Sequence, residues 1–335
     1  MIRILSSLRT FSGFDEYPIF KELVSSNVEL LNFDDRVYGY YDIQNLMQRI
    51  ARKSFMPWAS KSFNNQLRIY SDLARPNKFI AFKSTLINVS SIRHMKKRNI
   101  ESLIIYPDLN PLAHSKAYIY ALKECDIFFH TKPNLADKFS KIIRKDAVCI
   151  GPFYNSALVS SIEPIDENIG VSFVGHHSPG KEQSLRLFCK SYSGNISVYG
   201  DRWSHLNGSF GLKNVRFHPA IYGESIHEIY RKSVCSLGFL MESISKKLDG
   251  DEITSRSILV PAYGGLLLHP KNSSSKSVFE KSSIVLFESV EEASDLARNF
   301  YSDSALRLKT AFQQQQSVLK YGTSSIDFVN KYILK

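Results

Sequence analysis

Short apolar runs, each followed by a helical pattern, recur along this chain, and that alternation limits its possible folds more than any other feature. In the first half, Ile2–Leu5, Val28–Leu31, Lys78–Phe82, Leu103–Tyr106, Ile127–His130 and Ala147–Ile150 read as strands. Helical stretches fall over Asp42–Lys53, where Ile43, Leu46, Met47 and Ile50 recur at helix spacing, and over Arg93–Arg98, Pro111–Glu124 and Asn134–Ile143. Strands that are apolar on both faces and feed helices belong in a parallel sheet covered on both sides. The pattern restarts in the second half. Val171–Val174, Ile196–Tyr199, Val215–Phe217, Val234–Phe239, Leu266–His269 and Ile284–Phe287 read as strands. Helices are expected over 180–190, Glu224–Lys232, Thr254–Ala262 and from Val290 onward, and Ser273–Ser275 reads as a short loop.

Between the halves, the segment GPFYNSALVSSIEPIDENIG has no clear period and carries Gly151, Pro152 and Pro164. A chain of 335 residues is most simply two domains. The expected fold is therefore α/β, with two doubly wound Rossmann-like domains facing a central cleft. Residues 1–152 form the first domain, 153–168 a linker and 169–320 the second domain. Residues 321–335 are expected to form a helix that returns to the first domain. In such folds ligands bind outside the carboxyl ends of the strands.

Charge is divided unequally. Residues 1–150 hold 23 Lys and Arg against 14 Asp and Glu, whereas residues 151–335 hold 20 against 18. A basic first half attracts polyanions: nucleic acid, anionic lipid or a phosphorylated acceptor. No zinc-finger, helix-turn-helix or RNA-recognition pattern occurs, so nucleic acid is not expected as a partner. No export signal or membrane-length apolar run is present, which predicts a cytoplasmic protein, at most peripheral on the inner membrane face. The four scattered cysteines read as reduced thiols.

The densest chemistry lies between Val234 and Pro270. A short strand, a polar loop and a helix opening on Thr254-Ser255-Arg256 follow one another. Helix-terminal N–H groups favour anions, and a guanidinium grips phosphate oxygens with two donors. Thr254 serves equally as a helix cap, and Arg256 as a surface ion-pair partner. Asp249-Gly250-Asp251 mimics a metal-binding Asp-x-Asp, but it follows Lys246-Lys247 rather than an apolar strand and reads as a turn; no metal is expected.

Five segments in order, VSFVGHHSPGK, ISVYGDRW, VRFHPAIYGESIHEIYRKSVCSLGF, EITSRSILVPAYGGLLL and VLFESVEEASDLARNFYSDSALR, resemble the CgeB-like (spore-maturation-protein-like) glycosyltransferases, a family of GT-B architecture. The resemblance covers about residues 170–330. It implies transfer of a sugar from a nucleotide-sugar donor held by the second domain, without a metal or other cofactor. Gly175 would let the backbone approach a diphosphate, with His176 beside it and Gly200 at the next strand end. Lys181 stands where the family often has arginine, and Thr254 and Arg256 would complete the cradle. Tyr222, just before a helix, reads equally as a border of the nucleobase or as part of the turn. The family's glutamate falls on Leu259, so either Asp251 or Glu252 holds the ribose in its place or the nucleotide binds differently.

A catalytic base, if the reaction inverts, should come from the first domain. Asp108 follows a strand end, Asp15 lies in the loop after the first strand, and His114 and His130 are further candidates. The stretch Gln48–Lys61 interleaves Arg49, Arg52, Lys53 and Lys61 with Ile50, Phe55, Met56 and Trp58. That mixture suits an anionic membrane or a lipid-linked acceptor, although a core helix with a basic outer face has the same composition. The expected function is glycosyl transfer to a glycan, lipid-linked or other cellular acceptor. The alternatives are a sugar-nucleotide epimerase and a non-catalytic nucleotide-sugar or glycan-binding protein, the latter favoured by Leu259.

Overall fold

The computed structural model describes residues 1–38, 46–164, 169–209, 211–240, 250–279 and 286–335, and not the side chains of Leu46, Arg49 and Arg52. The chain divides into two units, Met1–Gly151 with Ser325–Lys335, and Pro152–Ser324.

The first unit is built on β1 (Ile2–Ser7), β2 (Val28–Asn32), β3 (Lys78–Phe82), β4 (Glu101–Tyr106), β5 (Ile127–His130) and β6 (Ala147–Cys149). All pair in parallel, in the order β2-β1-β3-β4-β5-β6. Its helices are α1 (Tyr17–Ser25), α2 (Leu46–Ala74), α3 (Val89–Lys96), α4 (Lys116–Glu124) and α5 (Ala136–Ile143). The sheet is apolar on both faces: on one, Leu5, Phe79, Ile104 and Phe128 pack with Phe63, Ile92, Tyr118 and Phe139 from the helices, and on the other Ile4, Ile80, Leu103 and Phe129 are buried, Phe129 against Phe328.

Three sequence expectations shift here. The helix expected over Asp42–Lys53 is observed from Leu46 and runs on to Ala74; residues 42–45 lie outside the described residues. It docks through Ala59, Phe63, Leu67 and Ser71, one turn apart. The helix expected over Pro111–Glu124 is a 3-10 turn, Pro111–Ala113, then α4, because Ser115 caps a fresh start by accepting from the Tyr118 N–H. Asn134–Ile143 likewise begins as a 3-10 turn before α5.

The second unit opens with β7 (Phe153–Tyr154) and continues through β8 (Val171–Val174), α6 (Pro179–Ser191), β9 (Ile196–Tyr199), β10 (Val215–His218), α7 (Glu224–Lys232) and β11 (Cys235–Leu237). It then passes through α8 (Ser255–Ala262), β12 (Leu267–Pro270), α9 (Ser273–Val278), β13 (Leu286–Phe287), α10 (Val290–Ser302), α11 (Ser304–Tyr321) and β14 (Thr323–Ser324). Its parallel sheet runs β10-β9-β8-β11-β12-β13, a doubly wound order. Part of the stretch without a clear period is ordered: β7 pairs with β14. Ser273–Ser275 is not a loop but the start of α9, capped reciprocally by Asn272 and Ser275. Beyond β14, α12 (Ser325–Phe328) and a π-helical turn, Val329–Ile333, pack against the first unit, where Phe328 meets Phe129 at 5.3 Å.

All four cysteines are free, and Cys149 is exposed. No described helix is long and apolar enough to cross a membrane.

Candidate functional site

In a doubly wound sheet the carboxyl ends of two neighbouring strands diverge where the winding reverses, and the crevice there receives ligands. In the second unit that point lies between β8 and β11. Arg256 occupies it. From the first turn of α8 its Nε donates to the Val174 carbonyl at 2.8 Å, at the end of β8. Its Nη1 donates to the Phe239 carbonyl at 3.0 Å, just beyond β11. The guanidinium lies 4.6 Å from the centre of the Phe173 ring. Burial holds its pKa below the ordinary guanidinium value, opposed by Tyr230 and Asp251. Two carbonyls and an aromatic face thus fix a cation at the switch point. The surface ion-pair reading of Arg256 is set aside, because its bonds go to backbone carbonyls.

Gly175 follows β8 directly, and a Cβ there would stand 2.9 Å from Arg256 Nη2. At Gly200, with φ +156°, a Cβ would lie 2.2 Å from the Gly175 carbonyl oxygen. The turns after β8 and β9 therefore touch backbone to backbone, which only glycine permits. Trp203, 1% exposed, donates from Nε1 to the same Gly175 carbonyl at 2.8 Å. It is a core residue.

Other donor candidates sit around this centre. His176 is exposed, with Nδ1 3.2 Å from Asp201 Oδ2. Lys181 reaches back from α6 to the His176 carbonyl at 3.1 Å. Tyr222 is half-buried before α7, its phenol pKa raised by burial and then by Asp201. Thr254 caps α8, its N–H donating to Ser257 Oγ at 3.0 Å. Leu259 packs against the apolar cluster behind that helix.

A cavity of about 480 Å³ opens beyond the carboxyl ends of β11, β12 and β13, lined among others by Phe239, Leu240, Asp251, Glu252, Lys271 and Glu288. Asp251 and Glu252 thus share a cavity with the residue whose carbonyl holds Arg256. One Glu252 oxygen also holds the fold together, since it accepts from Ser273 Oγ at 2.7 Å and from Ser274 N at 2.8 Å, capping α9. Burial raises the Glu252 pKa, but the Ser274 and Ser273 bonds outweigh it and the net shift is downward. Asp249 of the Asp-Gly-Asp turn lies outside the described residues.

The first unit has its own reversal, between β1 and β3. Ser7 at the end of β1 and Ser84 after β3 share a hydrogen bond of 2.7 Å. Lys83 and Ser84 both hold left-handed backbone, φ 60° and 34°, a conformation that costs on the order of 1–3 kcal/mol per residue and clusters at functional sites. The turn presents the Lys83 ammonium to Asp108 Oδ2 at 2.6 Å. His114 Nε2 lies 3.1 Å from the Tyr106 hydroxyl and 4.0 Å from Asp108. Burial, then Lys83, holds the His114 imidazole below its ordinary pKa, against the pull of Asp108.

Asp108 and His114, predicted separately, are therefore brought together, with Lys83 as an unpredicted partner. Its position one residue past a strand end was the available signal. Asp15 is exposed in the turn before α1. Its neighbour Glu16 is 1% exposed, and burial pushes its carboxyl up to about 7 although Arg9 stands 3.5 Å away. Nothing local in the sequence marks Glu16, because Arg9 and Asp35 come from other elements. His130 is buried, its pKa pushed down to about 4, with Nε2 unpartnered among the described residues.

Residues 182–325 match the family model described as glycosyl transferase-like. No curated protein matches the sequence. Among solved structures, sucrose-phosphate synthase of Thermosynechococcus elongatus is 11% identical, with 96% of this chain and 95% of that chain covered and a TM-score of 0.68. Anabaena HepE in complex with UDP is 10% identical over 100% and 98% of the two chains, TM-score 0.64. A protein described as a UDP-N-acetylglucosamine 2-epimerase from Listeria monocytogenes is 12% identical over 99% and 95%, TM-score 0.58. Residues 182–325 are thus glycosyl transferase-like, and they lie within a fold of two Rossmann-like units of GT-B architecture.

Proposed function

We propose that this chain transfers a sugar from a nucleoside diphosphate sugar to an acceptor. The second unit holds the donor and the first unit handles the acceptor. The observation that carries the reading is Arg256, clamped by the Val174 and Phe239 carbonyls at the switch point beside Gly175. A fixed cation beside a glycine turn that carries no side chain suits a diphosphate, whose negative charge grows as the sugar leaves. The nucleoside would enter the neighbouring cavity, where Asp251 and Glu252 offer oxygens to ribose hydroxyls. UDP and UDP-glucose bound to HepE favour a uridine donor here.

Charge stabilisation falls to Arg256, Lys181 and the α8 N–H groups, without a metal in the transfer step. Asp108 serves as base for the acceptor hydroxyl, steered by Lys83 and His114. The exposed Met47, Ile50, Phe55 and Trp58 of α2, interleaved with exposed Lys53 and Lys61, suit an acceptor at an anionic membrane surface. The finer assignment to the CgeB-like transferases rests on the ordered motifs, and Leu259 separates this chain from that pattern.

The test is turnover. Purified protein is incubated with a panel of UDP-, GDP-, ADP- and dTDP-sugars, with and without membrane and glycan acceptors. Nucleoside diphosphate release that depends on acceptor supports the proposal. Conversion of the donor to its epimer without acceptor would assign the epimerase reading. Tight donor binding with neither outcome would leave a binding protein.

A further inference from the structure

Beside the Gly175 turn, apart from the residues assigned to the donor, three metal-ligating side chains converge from separate elements. His177 lies in the turn after β8, Glu182 in the first turn of α6, and His205 in the 3-10 turn Ser204–Leu206 after β9. One ligand atom from each lies within 4.8 Å of the others. His177 Nε2 is 2.8 Å from Glu182 Oε2, and the His177 and His205 rings meet edge to face at 4.9 Å. We infer that His177, Glu182 and His205 bind one zinc-class divalent cation, which staples the turn after β8 to the turn after β9.

Two imidazoles and one carboxylate suit zinc, cobalt, nickel or copper and disfavour magnesium and calcium, which require oxygen shells. Ligand atoms around a tetrahedral ion with bonds near 2 Å stand about 3.3 Å apart, so the observed cluster needs only small side-chain rotations. His177 and Glu182 are half-buried and His205 is exposed, which leaves a coordination position open to water.

Surrounding contacts already orient the ligands, as outer partners do in metal sites. Glu182 Oε1 accepts from Arg186 Nε at 2.9 Å, leaving Oε2 for the cluster. The His177 ring rests against the buried Trp203 at 4.9 Å, and its backbone N–H donates to the Asp201 carbonyl at 3.0 Å. Only the His177–Glu182 hydrogen bond must yield. Its proton leaves for solvent when the ion binds, so affinity falls as pH falls. The inferred role is positional: the stapled turn is the one that carries Gly175. Transfer itself needs no metal in this scheme, and the site stands independently of the donor reading.

The test uses the full chain without a polyhistidine tag, stripped with a chelator. Zn²⁺ is titrated calorimetrically and Co²⁺ by visible absorption, each at pH 7.5 and pH 5.5. The expected result is one equivalent of either ion at pH 7.5, with at least about tenfold weaker binding at pH 5.5 and in His205→Asn, a loss typical of a perturbed metal shell. His205 is exposed, so its replacement leaves the fold intact, and His94→Asn in the first unit should bind as the parent does. Absence of saturable binding, or unchanged affinity in His205→Asn, would overturn the inference. UDP binding measured in the same chelated protein reports on the donor site separately.

Discussion

The two units carry sheets of almost the same winding, yet their reversal points are furnished in opposite ways. Between β8 and β11 a single guanidinium is locked to two carbonyls and faces bare glycine backbone. That arrangement is preorganised for one charged ligand. Between β1 and β3 the strand ends carry serines, a strained turn, and a Lys83–Asp108–His114 group, with the buried Glu16 in the loop after β1. That arrangement is rich in proton carriers. On the proposed function, topology decides where a ligand sits, whereas the residues at the strand ends decide whether the point holds charge or moves protons.

The sharpest way to break this contrast is Asp108→Asn. A general base contributes about 10²–10⁴-fold, so turnover should fall by that factor while UDP affinity, measured by calorimetry, stays unchanged. Equal losses in both would place Asp108 in donor binding and erase the division of labour.

Glu16 gives a stability prediction. Its carboxyl rises from 4.5 to about 7 in the fold, so the folded state binds more protons than the unfolded state between those values. Stability should therefore fall as pH rises from 4.5 to 7 and then level off, by at most about 3 kcal/mol from this group. Glu16→Gln should remove that slope in urea unfolding followed from pH 4 to 8. An unchanged slope would show that Arg9 keeps Glu16 ionised.

Arg256→Ala should weaken UDP binding by about 1.5–3 kcal/mol, the worth of a charged hydrogen bond. Arg256→Lys should not restore it, since an ammonium cannot span both carbonyls and a phosphate. The smallest effect belongs to α2. Trp58→Ala should reduce flotation with anionic vesicles without altering UDP affinity, and flotation equal to the parent would remove the membrane reading.

Much of the architecture was legible because parallel strands are apolar on both faces: β1, β3, β4, β5, β8 and β9 stand within about two residues of their apolar runs. The extension of α2 to Ala74 was not, since exposed Ile69, Tyr70 and Leu73 blur the period set by Phe63 and Leu67. Nor was α9, whose serines favour loops and whose start is fixed by Glu252, some twenty residues earlier. At the candidate site, Arg256 and Gly175 could be picked out because a helix start and a strand end are local signals. The carbonyls that clamp Arg256 could not, nor could the partners of Glu16 and His177, because they come from other elements and meet only in the folded chain.

The central claim is that the β8/β11 reversal is a nucleoside diphosphate site built on Arg256. The most direct measurement is calorimetric titration of UDP, GDP, ADP, dTDP and CMP into the parent and Arg256→Ala, in chelator, with folding of each verified by circular dichroism. The account predicts selective binding of one diphosphate, UDP first, weakened at least about tenfold in the folded variant, as 1.4 kcal/mol or more requires. Binding of none, or equal binding by parent and variant, would contradict it.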